Sequence, residues 1–437
     1  MKKLLSLLVV LVAMFVVAGC GNTNLKDREI VIPDQLTTDP ITITFWHAMG
    51  QANQGYIQDI IDRFNVIYPN VTVIQAGQGG YTDLRDKITK AISAGTEPNI
   101  AQTYPDHVAV YLQGRAVLPL DKYMENATHG FTQADLDDFV PSFLAEGTIY
   151  DEAGTYYSLP FNKSTEVMFY NKTFFDQNSL TVPTTWAEVR TVSQQIKTLN
   201  GKVGFAYDSE ANLFITLTQQ WGGQYTNVNG EILFNNAQSK AAVTYFKDLY
   251  TDRLAATPTH FDGANYASDV FKAETIYMTV GSSAGAQHNN TTAFEVGVAP
   301  IPQYDGAGAV PAVIQQGTNV TIFSNATDDQ RLASWLFVKF LTSTAETAYF
   351  SASTAYFPVR ESAYTHPTYA TFLANPDSIF VKSATIGYGQ RDKFFTSAAF
   401  PGSSLARDES QSLIRAVLYG GKTIDQAYAD AINELVW

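Results

Sequence analysis

One cysteine in 437 residues, Cys20, has no partner for an internal disulfide, so a covalently stapled scaffold is excluded. Basic charge is also scarce. Lys and Arg total 28 against 42 Asp and Glu, a net −14, which argues against nucleic acid or anionic lipid as the main partner because both need a basic face. The six histidines, His47, His107, His129, His260, His288 and His366, are scattered with no two at a zinc-like spacing, so no metal site and no cofactor are expected. Gly77, Gly79 and Gly80 lack the lysine and hydroxyl residue of a P-loop. No repeat of fixed period and no low-complexity stretch occurs, which removes solenoids and propellers. Only one long apolar run exists, at the start of the chain.

That run reads as a leader. Met1-Lys2-Lys3 is positive, Leu4 to Ala18 is apolar but for Ser6, and small residues Ala18-Gly19 suit a peptidase. A fifteen-residue helix spans ~22 Å, short of the ~30 Å hydrocarbon core, so residues 1–19 are expected to be a signal peptide rather than an anchor. Val17-Ala18-Gly19-Cys20 resembles the lipobox of bacterial lipoproteins, and that resemblance implies a diacylglycerol on Cys20. Two or more acyl chains hold a protein stably at a membrane, where one chain does not. Residues 20–37, polar and containing Pro33, are then expected to be a lipid-anchored tether.

The remainder is long enough for two or three structural units and has a globular composition, 45% hydrophobic and 16% charged. Ile41, Ile43 and Phe45 alternate as in a strand, and Tyr56 to Ile67 carries a helical stripe ending at Pro69-Asn70. Val71 to Ile74 is a second strand, so 41–74 is expected to be a β-α-β unit with parallel strands. Leu84, Ile88 and Ile92 predict another helix, stopped by Gly95 and Pro98. Further strands are expected at 167–170, 276–280, 296–299 and 320–323, and helices at 186–199, 237–253, 328–341, 405–418 and 423–435. The pattern predicts an α/β fold in two lobes.

Two functional readings follow. Gly281-Ser282-Ser283-Ala284-Gly285 fits G-x-S-x-G after an expected strand, so Ser283 is a candidate nucleophile of a secreted esterase, with Asp305 or Asp328 and then His366 downstream in permitted order. No Gly-rich oxyanion loop precedes it, and small residues at a strand end serve equally to bring backbone N–H groups near a ligand. The other reading rests on 24 Tyr and 5 Trp, with Trp46, Tyr81, Tyr104, Trp221 and Tyr356 at loop positions just after strands. Such rings pair a flat apolar face with a polar tip, a combination that holds sugars and polyols.

Ile43-Thr44-Phe45-Trp46-His47-Ala48-Met49, Gly80-Tyr81, Leu159-Pro160-Phe161-Asn162 with Tyr170-Asn171-Lys172, Gly281-Ser282-Ser283 and Ala355-Tyr356-Phe357-Pro358 together resemble the extracellular solute-binding proteins of ABC importers. Phe161-Asn162-Lys163-Ser164-Thr165 and Gly420-Gly421-Lys422-Thr423 look most like the glycerol-3-phosphate-binding branch. The resemblance implies a two-lobed periplasmic-binding-protein-like fold with a hinge and an interlobe cleft, and no enzymatic activity. It implies ligand contacts at Tyr81, Ser164, Ser282 or Ser283, the Gln316-Gly317 turn, Tyr356 and Arg407, whose guanidinium suits a phosphate. Asp106 stands one place after Pro105, the position where the branch has an acid, and residues 209–212 read Ser-Glu-Ala-Asn where the branch has paired tryptophans. A neutral sugar suits the same cleft, with Asp106 accepting from hydroxyls and Trp46 or Trp221 stacking. The implied partners are a small solute (a sugar, glycerol phosphate or glycerophosphodiester) and ABC permease subunits. The implied place is the outer face of the cytoplasmic membrane, extracellular or periplasmic, and the implied state a monomer. The lobes are expected at 38–160 with 299–356, and at 161–298 with 357–437.

Overall fold

The computed structural model describes residues 29–435. The leader 1–19, Cys20 and the start of the tether therefore lie outside the described residues. The rest of the expected tether does not hang free. Ile30, Ile32 and Leu36 pack against the first core, His129 Nε2 lies 3.1 Å from Pro33 O, and Asn70 Nδ2 donates to Thr37 O at 2.7 Å. Three apolar side chains within seven residues gain more from that surface than from water, a signal outweighed in the sequence by the flanking polar residues.

The described residues form ten strands, β1 (Ile41–His47), β2 (Val71–Gly77), β3 (Ile100–Thr103), β4 (Leu159–Asn171), β5 (Phe205–Tyr207), β6 (Ala255–Ala256), β7 (Met278–Ser282), β8 (Val296–Ala299), β9 (Val313–Ile322) and β10 (Phe394–Phe395). Their order is β2-β1-β3-β9-β4-β7-β5-β6, with β8 on β4 and β10 on β9. β1 runs parallel to β2 and β3, and the intervening helix Gln51–Ile67 buries Ile57, Ile60, Ile61 and Phe64, as the 3.6-residue spacing predicts. β5 runs parallel to β6 and β7, which makes a second α/β sheet. The helices Trp186–Asn200 and Asp328–Leu341 start at Thr185 and Thr327, whose hydroxyls cap the first turn.

Two cores result. One gathers Ile43, Phe45, Phe64, Ile100, Trp335 and Phe337, the other Trp186, Phe205, Leu213, Phe246, Met278 and Ile414. Ile301 and Val313, expected in the first lobe, pack in the second core. Phe357 and Val359, expected in the second, pack with Phe139 and Phe143, while Ala363 and Tyr369 pack with Ala348. The reason is local pairing: Phe357 bridges to Lys163 and Arg360 to Phe139, which draws the segment after Tyr356 back onto the first lobe.

The lobes are joined chiefly by β4 and β9. β9 pairs with β3 at 319–322 and with β4 from Leu159 to Thr165, and β4 then pairs with β7 from Glu166 onward. The ladder shifts register between Pro160 and Asn162. Opposite lies Gly317 at φ +85°, where a Cβ would fall 2.0 Å from Asn162 O, so only glycine fits this crossing.

Candidate functional site

Where the two strands cross, a cavity of about 650 Å³ opens between the lobes. The first lobe supplies Met49 and the start of the helix Gln51–Ile67, with Tyr81, Tyr104 and Tyr356. The second supplies Asp208, Ser268, Thr279, Ser282 and Asn289, and the crossing strands supply Ser164, Gln316 and Gly317. A volume of this size suits a small polar molecule.

The aromatic wall is built at the ends of elements. Tyr81 opens the helix Tyr81–Ala94, Tyr104 follows β3, and Tyr356 follows Ala355, a left-handed residue at φ 63° that ends the helix Thr344–Thr354. The Tyr81 and Tyr104 rings meet edge to face at 4.9 Å, and the Tyr81 and Tyr356 hydroxyls lie 3.5 Å apart. Burial pushes both hydroxyls above the ordinary tyrosine pKa, so each keeps its proton and can donate or accept. Ser282 Oγ donates to Ser164 Oγ at 3.4 Å, a long bond between two groups that face the cavity.

Behind this wall, Glu166 is buried on β4. Its carboxylate accepts from Tyr207 Oη at 2.5 Å and from Asn212 Nδ2 at 3.0 Å. Burial raises its pKa to about 7 in spite of those hydrogen bonds. Arg407, on the helix Ser403–Leu418, donates to Asn212 Oδ1 at 2.7 Å and so reaches Glu166 through one amide.

Tyr81, Ser164, Ser282, Gly317 and Tyr356 are thus brought to one cavity, and the other expected contacts stand elsewhere. Trp46 alternates with Phe45 and His47 on β1 and packs on the cluster of Leu84, Ile88 and Val108, away from the lining. Trp221 is buried in the second core, stacked on Tyr304 at 3.9 Å, and offers no free face to a sugar. Asp106 accepts from Ser404 Oγ at 2.7 Å, a contact from one lobe to the other beside the cavity. Burial favours its neutral form, but His107, Arg407 and the Ser404 hydroxyl outweigh that and hold its pKa below the ordinary carboxylate value. Arg407 also lies outside the lining.

Ser283 is fully buried, and its Oγ accepts from Thr165 N at 3.2 Å. His366 caps the helix Pro367–Leu373, where its ring accepts from Thr368 N. The G-x-S-x-G segment is a turn that ties β7 to β4, not a nucleophile elbow.

Sequence reasoning missed Asp208, Ser268, Thr279 and Asn289. Asp208 directly follows β5, a strand end that would have marked it, but three residues are too few to show a strand period. Among the described residues no group of three His, Cys, Asp or Glu is placed to hold a metal ion, and no helix is long and apolar enough to cross a membrane.

A family model described as "Bacterial extracellular solute-binding protein" matches residues 59–376. The chain belongs to this family. It is 25% identical over 343 residues to the sn-glycerol-3-phosphate-binding periplasmic protein UgpB of Pectobacterium atrosepticum, covering 76% of this chain and 75% of that relative. Its fold matches the GacH receptor of Streptomyces glaucescens, solved unliganded and with acarbose, at a TM-score of 0.76 and 22% identity, covering 91% of this chain and 98% of the other. It matches UgpB of Mycobacterium tuberculosis, solved with glycerophosphocholine, at a TM-score of 0.76 and 21% identity, covering 90% and 97%. The protein is accordingly a solute-binding component of an ABC importer and not an enzyme, which overturns the esterase reading. The solute-binding family is extracellular or periplasmic.

Proposed function

We propose that the cavity captures a small hydroxylated solute, a sugar or a glycerol-phosphate-type compound, and releases it unchanged to the permease. The observation that carries this reading is the lining itself: protonated tyrosines at Tyr81, Tyr104 and Tyr356 from one lobe, faced by Ser282 from the other, with Ser164 and Gln316 on the crossing strands. Tyrosine faces pack on C–H surfaces of a sugar, while hydroxyl and amide tips exchange hydrogen bonds with its hydroxyl groups. Because each lobe supplies part of the contact set, solute favours the closed arrangement and shifts the population toward it. The glycerol-3-phosphate of the UgpB relatives, the acarbose of GacH and the glycerophosphocholine of the mycobacterial UgpB lie within this class.

A phosphorylated solute would engage Arg407 only once its guanidinium, held on Asn212 outside the lining, turns toward the cavity. The test is thermal shift against maltose, glycerol-3-phosphate and glycerophosphocholine, where a bound solute raises the melting temperature by an amount set by RT ln(1 + [L]/Kd). The reading predicts a rise with at least one of them and no product in the solution afterwards. Arg407→Ala then separates the classes: binding of a phosphorylated solute should fall and that of a neutral sugar should persist. No rise with any of the three would contradict the reading.

The lipid on Cys20, the lobe boundaries and the monomeric state belong to the same proposal. Support for the lipid is the Val17-Ala18-Gly19-Cys20 run, and Cys20→Ser should release the protein from the membrane fraction. The division of the cores supports two lobes with crossings at β4 and β9, but with 301–313 assigned to the second lobe and 357–373 to the first. A single chain supplies the whole cavity lining, so a monomer suffices.

A further inference from the structure

The second-lobe wall of the cavity is rich in acceptors and poor in cations. Among the described residues its lining holds one carboxylate, Asp208, and no lysine or arginine; His288 is the other titratable group there besides tyrosines. Asp208 Oδ1 accepts from Ala267 N at 2.6 Å, while Oδ2 accepts from no described group. The charges acting on Asp208 are those of Asp269 and Glu210, both negative. Among the described residues no ion pair compensates this half-buried carboxylate, although withdrawing one from water without a partner is costly.

Two further groups of the same wall are unpartnered. Thr279 is 2% exposed and Asn289 5% exposed, and neither Thr279 Oγ1 nor Asn289 Oδ1 has a hydrogen-bond partner. The Asn289 amide nitrogen donates to Gly285 O, which fixes the free atom as the carbonyl oxygen. Thr279 stands opposite Ala206 in the β5–β7 register, and Asp208 N donates to Val280 O one residue further on, so both project beside the same end of the sheet. Gly281 lines the same wall, where a Cβ would make an ordinary contact at 3.5 Å from Asp208 Cβ. Ser268, also in the lining, adds a hydroxyl.

An all-acceptor phosphate finds repulsion here, and a hydroxyl would satisfy one acceptor at a time. A protonated nitrogen brings up to three donors and the missing positive charge together. We propose that the wall formed by Asp208, Thr279 and Asn289 is a subsite for a protonated amine, so that the preferred solute is a hydroxylated compound carrying an ammonium group, such as an amino sugar or an ethanolamine ester. This rests on the reading of the cavity as the solute site and narrows the class of solute.

The experiment is calorimetric titration at neutral pH of two matched pairs, glucosamine against glucose and glycerophosphoethanolamine against glycerol-3-phosphate. The expected result is that the amine member of at least one pair binds roughly tenfold or more tighter than its counterpart lacking the amine, the size of one hydrogen bond to a charged group. In Asp208→Asn, checked for an unchanged fold by its melting curve, that preference should collapse to within about twofold. Thr279→Val, which keeps side-chain shape and loses one acceptor, should weaken the amine probe more than its counterpart. Equal or weaker binding of the amine members, or a preference that survives Asp208→Asn, overturns the subsite and leaves the cavity's role standing. Binding of none of the four probes overturns the subsite, and the cavity's role falls with it only if maltose and glycerophosphocholine also fail to bind.

Discussion

Glu166 shows what a single buried group does to the whole. Its pKa of about 7 lies above the ordinary 4.5 because burial disfavours the charged form. The folded protein therefore holds this proton more tightly than the unfolded chain, and the group's contribution to stability is complete below about pH 4.5 and lost as pH rises through about 7. Asp208, raised to about 6, acts in the same direction over a narrower window. The urea midpoint of the solute-free protein should show a decline from these groups between about pH 5 and about pH 7.5, and Glu166→Gln should lose less over that interval. A variant that tracks the parent protein at every pH would contradict the assignment. Trp221 makes the complementary case. Trp221→Ala should lower the unfolding free energy by about 3–5 kcal/mol, since the ring is core, and leave solute affinity of the folded protein unchanged. Reduced affinity measured by titration well below the melting temperature would return Trp221 to the site. Residue type was legible in both tryptophans, but the side of the sheet was not: Trp46 and Trp221 follow the same aromatic rule as Tyr81 and Tyr356 and differ only in which neighbours cover them.

Among the elements, the crossing strands depart most from what periodicity predicts. The sequence marks a strand at 167–170, where apolar residues cluster, yet β4 begins at Leu159 and carries Asn162, Lys163, Ser164, Thr165 and Glu166 through the middle of the molecule, all buried. Most of those polar groups are tolerated because they are satisfied, the Asn162 Nδ2 donor being the exception. Asn162 Oδ1 accepts from Gln102 at 2.9 Å, Thr165 Oγ1 donates to Ile314 O at 2.8 Å, and Lys163 pairs with Glu146. Glu146 also accepts from Gln315 on β9 and from Thr396 Oγ1, so one carboxylate ties both hinge strands and the segment after β10 to the first lobe. Such long-range partners leave no trace in local pattern, whereas the helix Asp328–Leu341, with its cap and stripe within one segment, matches its expected bounds. Lys163→Met should destabilise the fold by about 3–5 kcal/mol by leaving Glu146 buried and unpaired, and the double change with Glu146→Leu should recover most of that loss. Denaturant titration of the three variants decides it: a double variant as unstable as the single one would show that the pair's charges are not the cause.

At the scale of the molecule, two lobes meet at one rim of the cavity through Asp106 and Ser404, and through Arg85 and Asp408 at 3.6 Å. Asp408 is largely exposed, and exposed ion pairs contribute about 0–1 kcal/mol, so these contacts alone hold the lobes together weakly. A solute touching both walls adds what they lack. The arrangement of two α/β lobes was legible because each repeats the strand-helix grammar, and the family resemblance placed the cleft. The exchange of 301–313 and 357–373 between lobes was not, since it depends on the pairing of Phe357 with Lys163 across the hinge. The most direct test of the central claim is small-angle X-ray scattering of the protein with and without the solute that stabilises it most, followed by recovery of that solute. The account predicts a smaller radius of gyration at saturation and chemically unchanged solute; an identical scattering curve, or a solute recovered as a different compound, would contradict it.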